Sequence, residues 1–202
     1  MIRDAASSLF LERGYTKTTM DDIAAAAGVS KQTVYTHYAD KEQLFTQLVL
    51  TNATRVDAFL GEIRAGLVEG TAAELLALAR RYVAFVVRPE VVQMRRLVIG
   101  EAMRFPDLAR SYHEQVPERV VTAIAEGFRD LGERGRLRIR GAEEARSAAV
   151  QFVWLVLGAP LDRALFTGAE EVVAGDVEPG LEAGVRTFLA AYGPGDRTRS
   201  HA

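Results

Sequence analysis

The fold is decided by residues 19–45, which read TMDDIAAAAGVSKQTVYTHYADKEQLF. Thr19 and Asp22 are three residues apart and have the form of a capping box, which predicts that a helix begins at Met20. Four alanines at residues 24–27 let a second helix cross at close range, and Gly28 supplies the open backbone of a tight turn. One short helix therefore ends there.

A second short helix follows the turn. Ser30 is a preferred N-cap residue, so we expect a helix from Lys31 to about His37 with Val29 and Val34 as its buried contacts. Two short helices joined by a glycine-containing turn are typical of the helix-turn-helix motif.

One face of this second helix is polar. Gln32, Tyr35 and Thr36 are spaced i, i+3, i+4, and Lys31 lies beside them near the N-terminus. In a major groove Lys reaches guanine acceptors, Gln pairs with adenine, and Thr offers a methyl group to thymine. The pattern predicts double-stranded DNA as the partner.

A third helix begins after Asp40. Asp40 is its predicted N-cap, Gln43 lies at its N3 position, and Lys41 lies in its first turn. Free N–H groups beside a lysine favour binding of a phosphate group.

These residues resemble a known family. The pattern T-x-x-x-I-A-x-x-A-G-V-S-x-x-x-x-Y-x-H-Y-x-x-K-x-x-L resembles the DNA-binding signature of TetR-family regulators. It is formed by Thr19, Ile23, Ala24, Ala27, Gly28, Val29, Ser30, Tyr35, His37, Tyr38, Lys41 and Leu44. The resemblance implies a three-helix DNA-binding domain followed by a larger helical domain that dimerises and binds a small molecule.

The resemblance also implies roles for single residues. Ser30 belongs to the DNA-binding surface, base-reading positions fall on Lys31, Gln32, Thr33 and Thr36, and phosphate-contacting positions fall on Thr19, Tyr35, His37 and Lys41. Taken alone, Tyr35 and His37 would favour a packing or helix-capping role. The surrounding pattern favours contact with DNA.

Composition sets limits on the other possibilities. The chain has 202 residues, 49% of them hydrophobic, no cysteine and a formal net charge of −2. All three lysines, Lys17, Lys31 and Lys41, lie in the first 45 residues. Acidic neighbours offset them, so the DNA prediction rests on the placement of groups and not on bulk charge. The absence of cysteine fits a cytoplasmic protein, and no export signal is apparent.

Other functional classes lack a signal. Residues 148–161 are the most apolar segment, but fourteen residues containing Gln151 predict a buried helix and not a membrane span. His37, His113 and His201 are far apart, and no metal-ligand spacing or phosphate-binding glycine loop occurs. We expect neither an enzyme nor a cofactor or metal site.

The periodicity predicts an all-α fold in two domains. We expect a DNA-binding domain at residues 1–45, a regulatory and dimerisation domain at residues 46–192, and a disordered tail at residues 193–202. The first helix stops near Gly14, and a continuous helix from Asp40 to about Arg64 would couple the domains. Further helices follow at residues 90–104, 142–166 and 179–192.

The last two helices are expected to pair with those of a second subunit as half of a four-helix bundle. The predicted dimer interface contains Phe152, Leu155, Val156, Ala159, Leu181, Val185, Phe188, Leu189 and Tyr192. A ligand pocket among the middle helices would be lined by Tyr82, Phe85, Met94, Leu97, Glu101, Phe128 and Trp154. Packing of the core is the competing interpretation for Tyr82, Phe85, Met94, Phe128 and Trp154, and an ion pair with a neighbouring arginine is the competing interpretation for Glu101.

The stretch MRRLVIGEAMRFPDLARSYHEQVPERV is similar to the C-terminal domain of AefR-like members of the TetR family. Together these features predict a homodimeric repressor that leaves a near-palindromic operator when a small apolar effector binds. Two alternatives remain open: a regulator without an effector, and a helical interaction protein or enzyme with a vestigial helix-turn-helix.

Overall fold

The computed structural model describes residues 1–53, 56–172 and 174–194, with the backbone alone at residues 52, 53 and 174. Within these ranges the chain is helical and contains no strand, which confirms the all-α prediction. The helices are α1 Ile2–Lys17, α2 Met20–Ala26, α3 Lys31–His37, α4 Lys41–Ala53, α5 Val56–Gly66, α6 Ala72–Val86, α7 Pro89–Gly100, α8 Pro106–Gln115, α9 Pro117–Glu133, α10 Gly141–Thr167 and α11 Ala174–Tyr192, with a 3₁₀ turn at Ala169–Glu171.

The caps around α2 and α3 form as the sequence predicts. The backbone N–H of Asp22 donates to the Thr19 hydroxyl at 3.1 Å, and the N–H of Thr19 donates to the Asp22 carboxylate at 2.9 Å. Gly28 takes φ 66°, a left-handed conformation that glycine adopts without steric cost. The N–H of Thr33 then donates to the Ser30 hydroxyl at 3.1 Å, and α3 begins.

The chain packs into two compact units. The N-terminal unit contains Met1–Arg55 and Gln93–Pro117, and the C-terminal unit contains Val56–Val92 and Glu118–Ala202. Residues 93–117, which the sequence analysis assigned to the regulatory domain, therefore pack with the helix-turn-helix. Phe105 explains this arrangement, because its ring lies 4.9 Å from that of Tyr15 and 5.7 Å from that of Phe45.

The C-terminal unit is built on α6, α9, α10 and α11. Its core contains three mutually contacting rings, those of Phe128, Phe152 and Phe188, with centroids 4.9–5.6 Å apart. Helices α10 and α11 approach closely at Gly184, where an added Cβ would lie 2.9 Å from the Leu155 carbonyl oxygen. A side chain at this position would therefore separate the two helices.

Helix α10 is longer than the apolar segment seen in the sequence. It has 27 residues and satisfies the length and composition criteria for crossing a membrane. It also packs against α6 and α11, and nine of its side chains are buried within the unit. Burial of this kind is typical of the core helix of a globular unit.

One boundary each of α7 and α11 differs from the sequence predictions. Helix α7 ends at Gly100 and not at Arg104, and residues 101–104 form turns ahead of Pro106. Helix α11 begins at Ala174, ahead of Pro179. The junction in the predicted continuous helix, residues 54–55, and residues 195–202 of the predicted tail lie outside the described residues.

Candidate nucleic-acid interface

Helix α3 presents a polar face to solvent. Lys31, Gln32, Thr36 and His37 are exposed, and 44% of the Tyr35 surface is accessible. Val34 is fully buried and fixes the opposite side of the helix in the N-terminal unit. The predicted base-reading residues are therefore accessible, apart from Thr33, which is half-buried.

Local hydrogen bonds orient three hydroxyl groups. The Ser30 and Thr33 hydroxyls lie 2.8 Å apart, and Ser30 also caps α3. The Thr36 hydroxyl donates to the Gln32 carbonyl at 2.9 Å. Thr36 thus satisfies its hydroxyl within the helix, which leaves its methyl group as the chemically distinctive part for a partner such as thymine.

Lys31 forms an ion pair that residue spacing does not predict. Its Nζ lies 2.7 Å from Oδ1 and 3.0 Å from Oδ2 of Asp21 in the first turn of α2. The hydrogen bond to Asp21 raises the pKa of Lys31. Ten residues separate the two in sequence, so only the packing of α2 on α3 reveals the contact.

Lys41, a predicted phosphate contact, has partners within the N-terminal unit. Its ammonium donates to the carbonyls of Tyr15 at 2.9 Å and Thr18 at 2.8 Å, and it lies 4.3 Å from the centre of the Tyr15 ring. Burial, with Arg104 nearby, lowers the pKa of Lys41. Two of its three N–H donors thus hold the end of α1. Thr19 is exposed but engaged in the α2 cap.

The predicted set of dimer-interface residues requires correction, because several of them are buried within one chain. Phe152, Val156, Leu181, Val185 and Phe188 are each at most 3% exposed, because they form the core of the C-terminal unit. Leu155 and Ala159 are exposed, whereas Leu189 and Tyr192 are half-buried. The solvent-exposed face of α10 contains Leu155 of the predicted set together with two residues outside it, with Val150 36%, Trp154 63% and Leu155 41% exposed.

The seven predicted ligand residues are divided between the two units. Met94, Leu97 and Glu101 belong to the N-terminal unit, and the other four belong to the C-terminal unit. Tyr82 and Phe85 each stack on Phe59, at 5.4 Å and 4.9 Å, and Phe128 is fully buried. Trp154 points to solvent, so it does not line an interior cavity of its unit, contrary to the prediction.

An apolar groove lies elsewhere in the C-terminal unit. It has a volume of about 440 Å³ and is lined by Arg80, Val83, Ala84, Val87, Val172, Val177, Glu178 and Leu181. Two of these lining residues, Arg80 on α6 and Glu178 on α11, form a bidentate ion pair. Among the described residues, no group of three His, Cys, Asp or Glu side chains is placed to hold a metal ion.

Two family models match the chain. Residues 2–48 match the model described as "Bacterial regulatory proteins, tetR family", and residues 73–194 match "AefR-like transcriptional repressor, C-terminal domain". The first contains the polar face of α3. The second includes α6 through α11.

Solved structures and curated proteins agree with these models. A TetR-family transcriptional regulator from Mesorhizobium loti MAFF303099 is 36% identical over 95% of both chains, with a TM-score of 0.85. The flavonoid-responsive regulator FrrA is 32% identical over 96% of both chains, with a TM-score of 0.71.

Among curated proteins, the biofilm operon icaADBC negative transcriptional regulator IcaR of Staphylococcus epidermidis is 42% identical over 48 residues, 24% of this chain and 26% of that protein. The chain spans about a quarter to a half of the length of the curated relatives it matches. Because the AefR-like model alone covers more than half of its residues, this chain belongs to the TetR family of transcriptional regulators.

Proposed function

We propose that this protein is a homodimeric repressor that binds a near-palindromic operator and leaves it when a small apolar effector binds. The observation that carries the proposal is the α3 face, where four polar side chains and Tyr35 stand exposed around the buried Val34. A short helix with this face and a capped N-terminus suits insertion into a major groove. IcaR, which is similar to 48 residues of this chain, is a negative regulator, and this similarity supports repression as the sign of regulation.

Symmetry sets the form of the operator. A dimer with two-fold symmetry presents two copies of α3, so the two half-sites should be related by the same symmetry. Half-site centres are then expected about 34–36 Å apart or somewhat more. The base-reading roles belong to Lys31, Gln32, Thr33 and Thr36, and phosphate contacts to Thr19, Tyr35 and His37, with Ser30 supporting the start of α3.

The open face of α10 is the proposed dimer surface. Val150, Trp154 and Leu155 are large apolar side chains with 36–63% of their surfaces exposed, and Ala159 continues the face. Exposed tryptophan within an apolar patch is typical of protein interfaces. Leu189 and Tyr192 of α11 retain partial exposure and stay in the proposed surface.

The effector is proposed to be a small apolar aromatic compound. FrrA, which resembles this chain over nearly its whole length, is flavonoid-responsive by name. The described groove between α6 and α11 has an apolar lining and a volume within the usual range for ligand sites. An effector that binds the DNA-free state more tightly by about 1–3 kcal/mol would weaken operator binding about 5- to 150-fold.

Selection of bound duplexes from a random pool tests the DNA-binding part of the proposal. We expect an enriched sequence with inverted half-sites, and a variant Lys31→Ala/Gln32→Ala/Thr36→Ala that enriches none. A matched variant with Glu62→Ala and Gln47→Ala, both exposed and off the α3 face, should select the wild-type sequence. Failure of the wild type to enrich any sequence would refute the proposal.

Effector binding is tested with a panel of flavonoid aglycones. We expect at least one compound to raise the melting temperature and to lower affinity for the selected duplex. A compound that raises the melting temperature without changing DNA affinity would show that it occupies a site uncoupled from DNA binding. A panel in which no compound does either would favour a regulator that responds to a different class of molecule or to none.

A further inference from the structure

The contact between Asp21 and Lys31 connects the two helices of the helix-turn-helix on its exposed surface. Both carboxylate oxygens lie within 3.0 Å of the ammonium, and 59% of the lysine side chain and 64% of the aspartate side chain are accessible. The ammonium also lies 6.0 Å from the centre of the Tyr35 ring. The positive charge of Lys31 is therefore held between an α2 carboxylate and an α3 aromatic ring.

Asp21 has no role in the cap that starts α2. The capping box uses Thr19 and Asp22, whose carboxylate accepts both the N–H and the hydroxyl of Thr19. An exposed carboxylate next to a lysine that is proposed to face DNA repels phosphate groups, whatever the base sequence. The positive end of α2 favours a carboxylate in its first turn, but this preference does not require contact with Lys31.

The geometry points to Asp21 as a specificity-determining residue that holds Lys31 toward base edges and away from the phosphate backbone. An ammonium has three donors, and those not used by Asp21 stay free for acceptors in the groove. On unselected DNA Lys31 could reach a phosphate only by giving up Asp21, so the ion pair keeps the lysine from adding a phosphate contact. On the operator the pair is kept and base-edge acceptors add to it. This inference rests on the proposed role of α3 in DNA binding.

The expected change in affinity follows from the free energy of an exposed ion pair, which corresponds to a factor of about two to five in an equilibrium constant. Asp21→Asn should tighten binding to unselected duplex about two- to five-fold. It should also steepen the dependence of log K on log salt by about 0.9, since one more lysine neutralises a phosphate. Affinity for the operator should change less, so the specificity ratio falls.

A double-mutant cycle on the full-length protein provides the test. Wild type, Asp21→Asn, Lys31→Gln and the double variant are titrated against the duplex selected by the wild type and against a scrambled duplex of equal length, at several salt concentrations. Asp21→Glu should keep the wild-type ratio because it keeps the carboxylate. Glu12→Gln is the charge-matched control, since Glu12 is an exposed acid of α1 that pairs with Arg13.

In the Lys31→Gln background, Asp21→Asn should change the affinities for the two duplexes no more than Glu12→Gln does. If Asp21→Asn changes the affinities equally with and without Lys31, the change is due to the overall charge of the protein, and the inference is overturned. An unchanged specificity ratio and salt slope in Asp21→Asn would overturn it as well. Wild-type protein that binds the selected and scrambled duplexes equally would instead refute the proposed function, which separates the two failures. Melting curves of each variant check that α2 still folds.

Discussion

At the scale of single residues, Lys41 shows how tertiary contacts redirect a side chain. Its position in the first turn of α4 suits phosphate binding, yet its ammonium is bound to the carbonyls of Tyr15 and Thr18 at the end of α1. Arg104 also lies over the Tyr15 ring, at 5.0 Å. Lys41 therefore ties α4 to α1 within the N-terminal unit.

Replacement of Lys41 by Met distinguishes a structural role, in which Lys41 ties α4 to α1, from a role as a DNA phosphate contact. Loss of its hydrogen bonds removes the ammonium donor from both carbonyls, although the Tyr15 carbonyl still accepts the N–H of Thr18, and should lower the free energy of unfolding by about 1–2 kcal/mol. Urea denaturation measures the effect, with Lys17→Met, an exposed lysine of α1, as the control. Wild-type stability together with a salt slope reduced by about one would instead support the phosphate role.

Gln32 is the clearest candidate for reading a single base. It is exposed on α3, and a glutamine side chain can bind adenine through two hydrogen bonds in the major groove. Gln32→Ala should relax preference at one position of each half-site and cost about 1–3 kcal/mol on the selected duplex. Affinities for single-base variants of that duplex measure this, and Gln47→Ala, exposed on α4, is the control. An unchanged preference at every position would remove Gln32 from the base-reading set.

At the scale of elements, helix termini are fixed by short polar contacts. The α6 terminus is an example, because Thr71 caps the helix while the Glu74 carboxylate accepts the N–H groups of Val68, Glu69 and Gly70 at 2.8–3.2 Å. Partial burial opposes ionisation, but these backbone hydrogen bonds outweigh it and lower the pKa of Glu74. The carboxylate thus orders the loop before α6.

This contact predicts a pH dependence of stability. A pKa lower in the folded than in the unfolded chain stabilises the fold above the unfolded value, and the contribution is lost as pH falls through the folded value. Glu74→Gln should therefore cost about 1 kcal/mol at neutral pH, with the difference from wild type vanishing well below pH 4. Urea titrations at several pH values measure it, and Glu62→Gln is the matched control. A difference that persists at low pH would assign the effect to packing.

At the scale of the whole molecule, the proposed function requires two copies of the chain. A single copy presents one α3 helix, whereas an operator with two-fold symmetry requires a pair. Helix α10 supplies the core of the C-terminal unit on one side and leaves Trp154 and Leu155 exposed on the other. We infer that the second side is covered by the partner subunit.

A charge placed on this face tests the pairing. Leu155→Glu should raise the Kd of dimerisation at least about ten-fold, since an unpaired carboxylate would be buried at the interface. Sedimentation velocity across a concentration series measures it. Val68→Glu is the control, because Val68 is 50% exposed in a loop of the same unit. If neither Leu155→Glu nor Trp154→Ala raises the Kd of dimerisation, the dimer interface lies elsewhere.

The sequence by itself determined the all-α fold, the caps at Thr19 and Ser30, the turn at Gly28 and the family. These features depend on residues within one or two helical turns of each other, so residue spacing alone is enough to predict them. Only the tertiary structure decided which face of α10 is buried, that residues 93–117 pack with the helix-turn-helix, and which partners Lys31 and Lys41 find. Those contacts join residues far apart in the chain. Helix α10 is apolar on nearly every side, so its periodicity is equally consistent with burying either face.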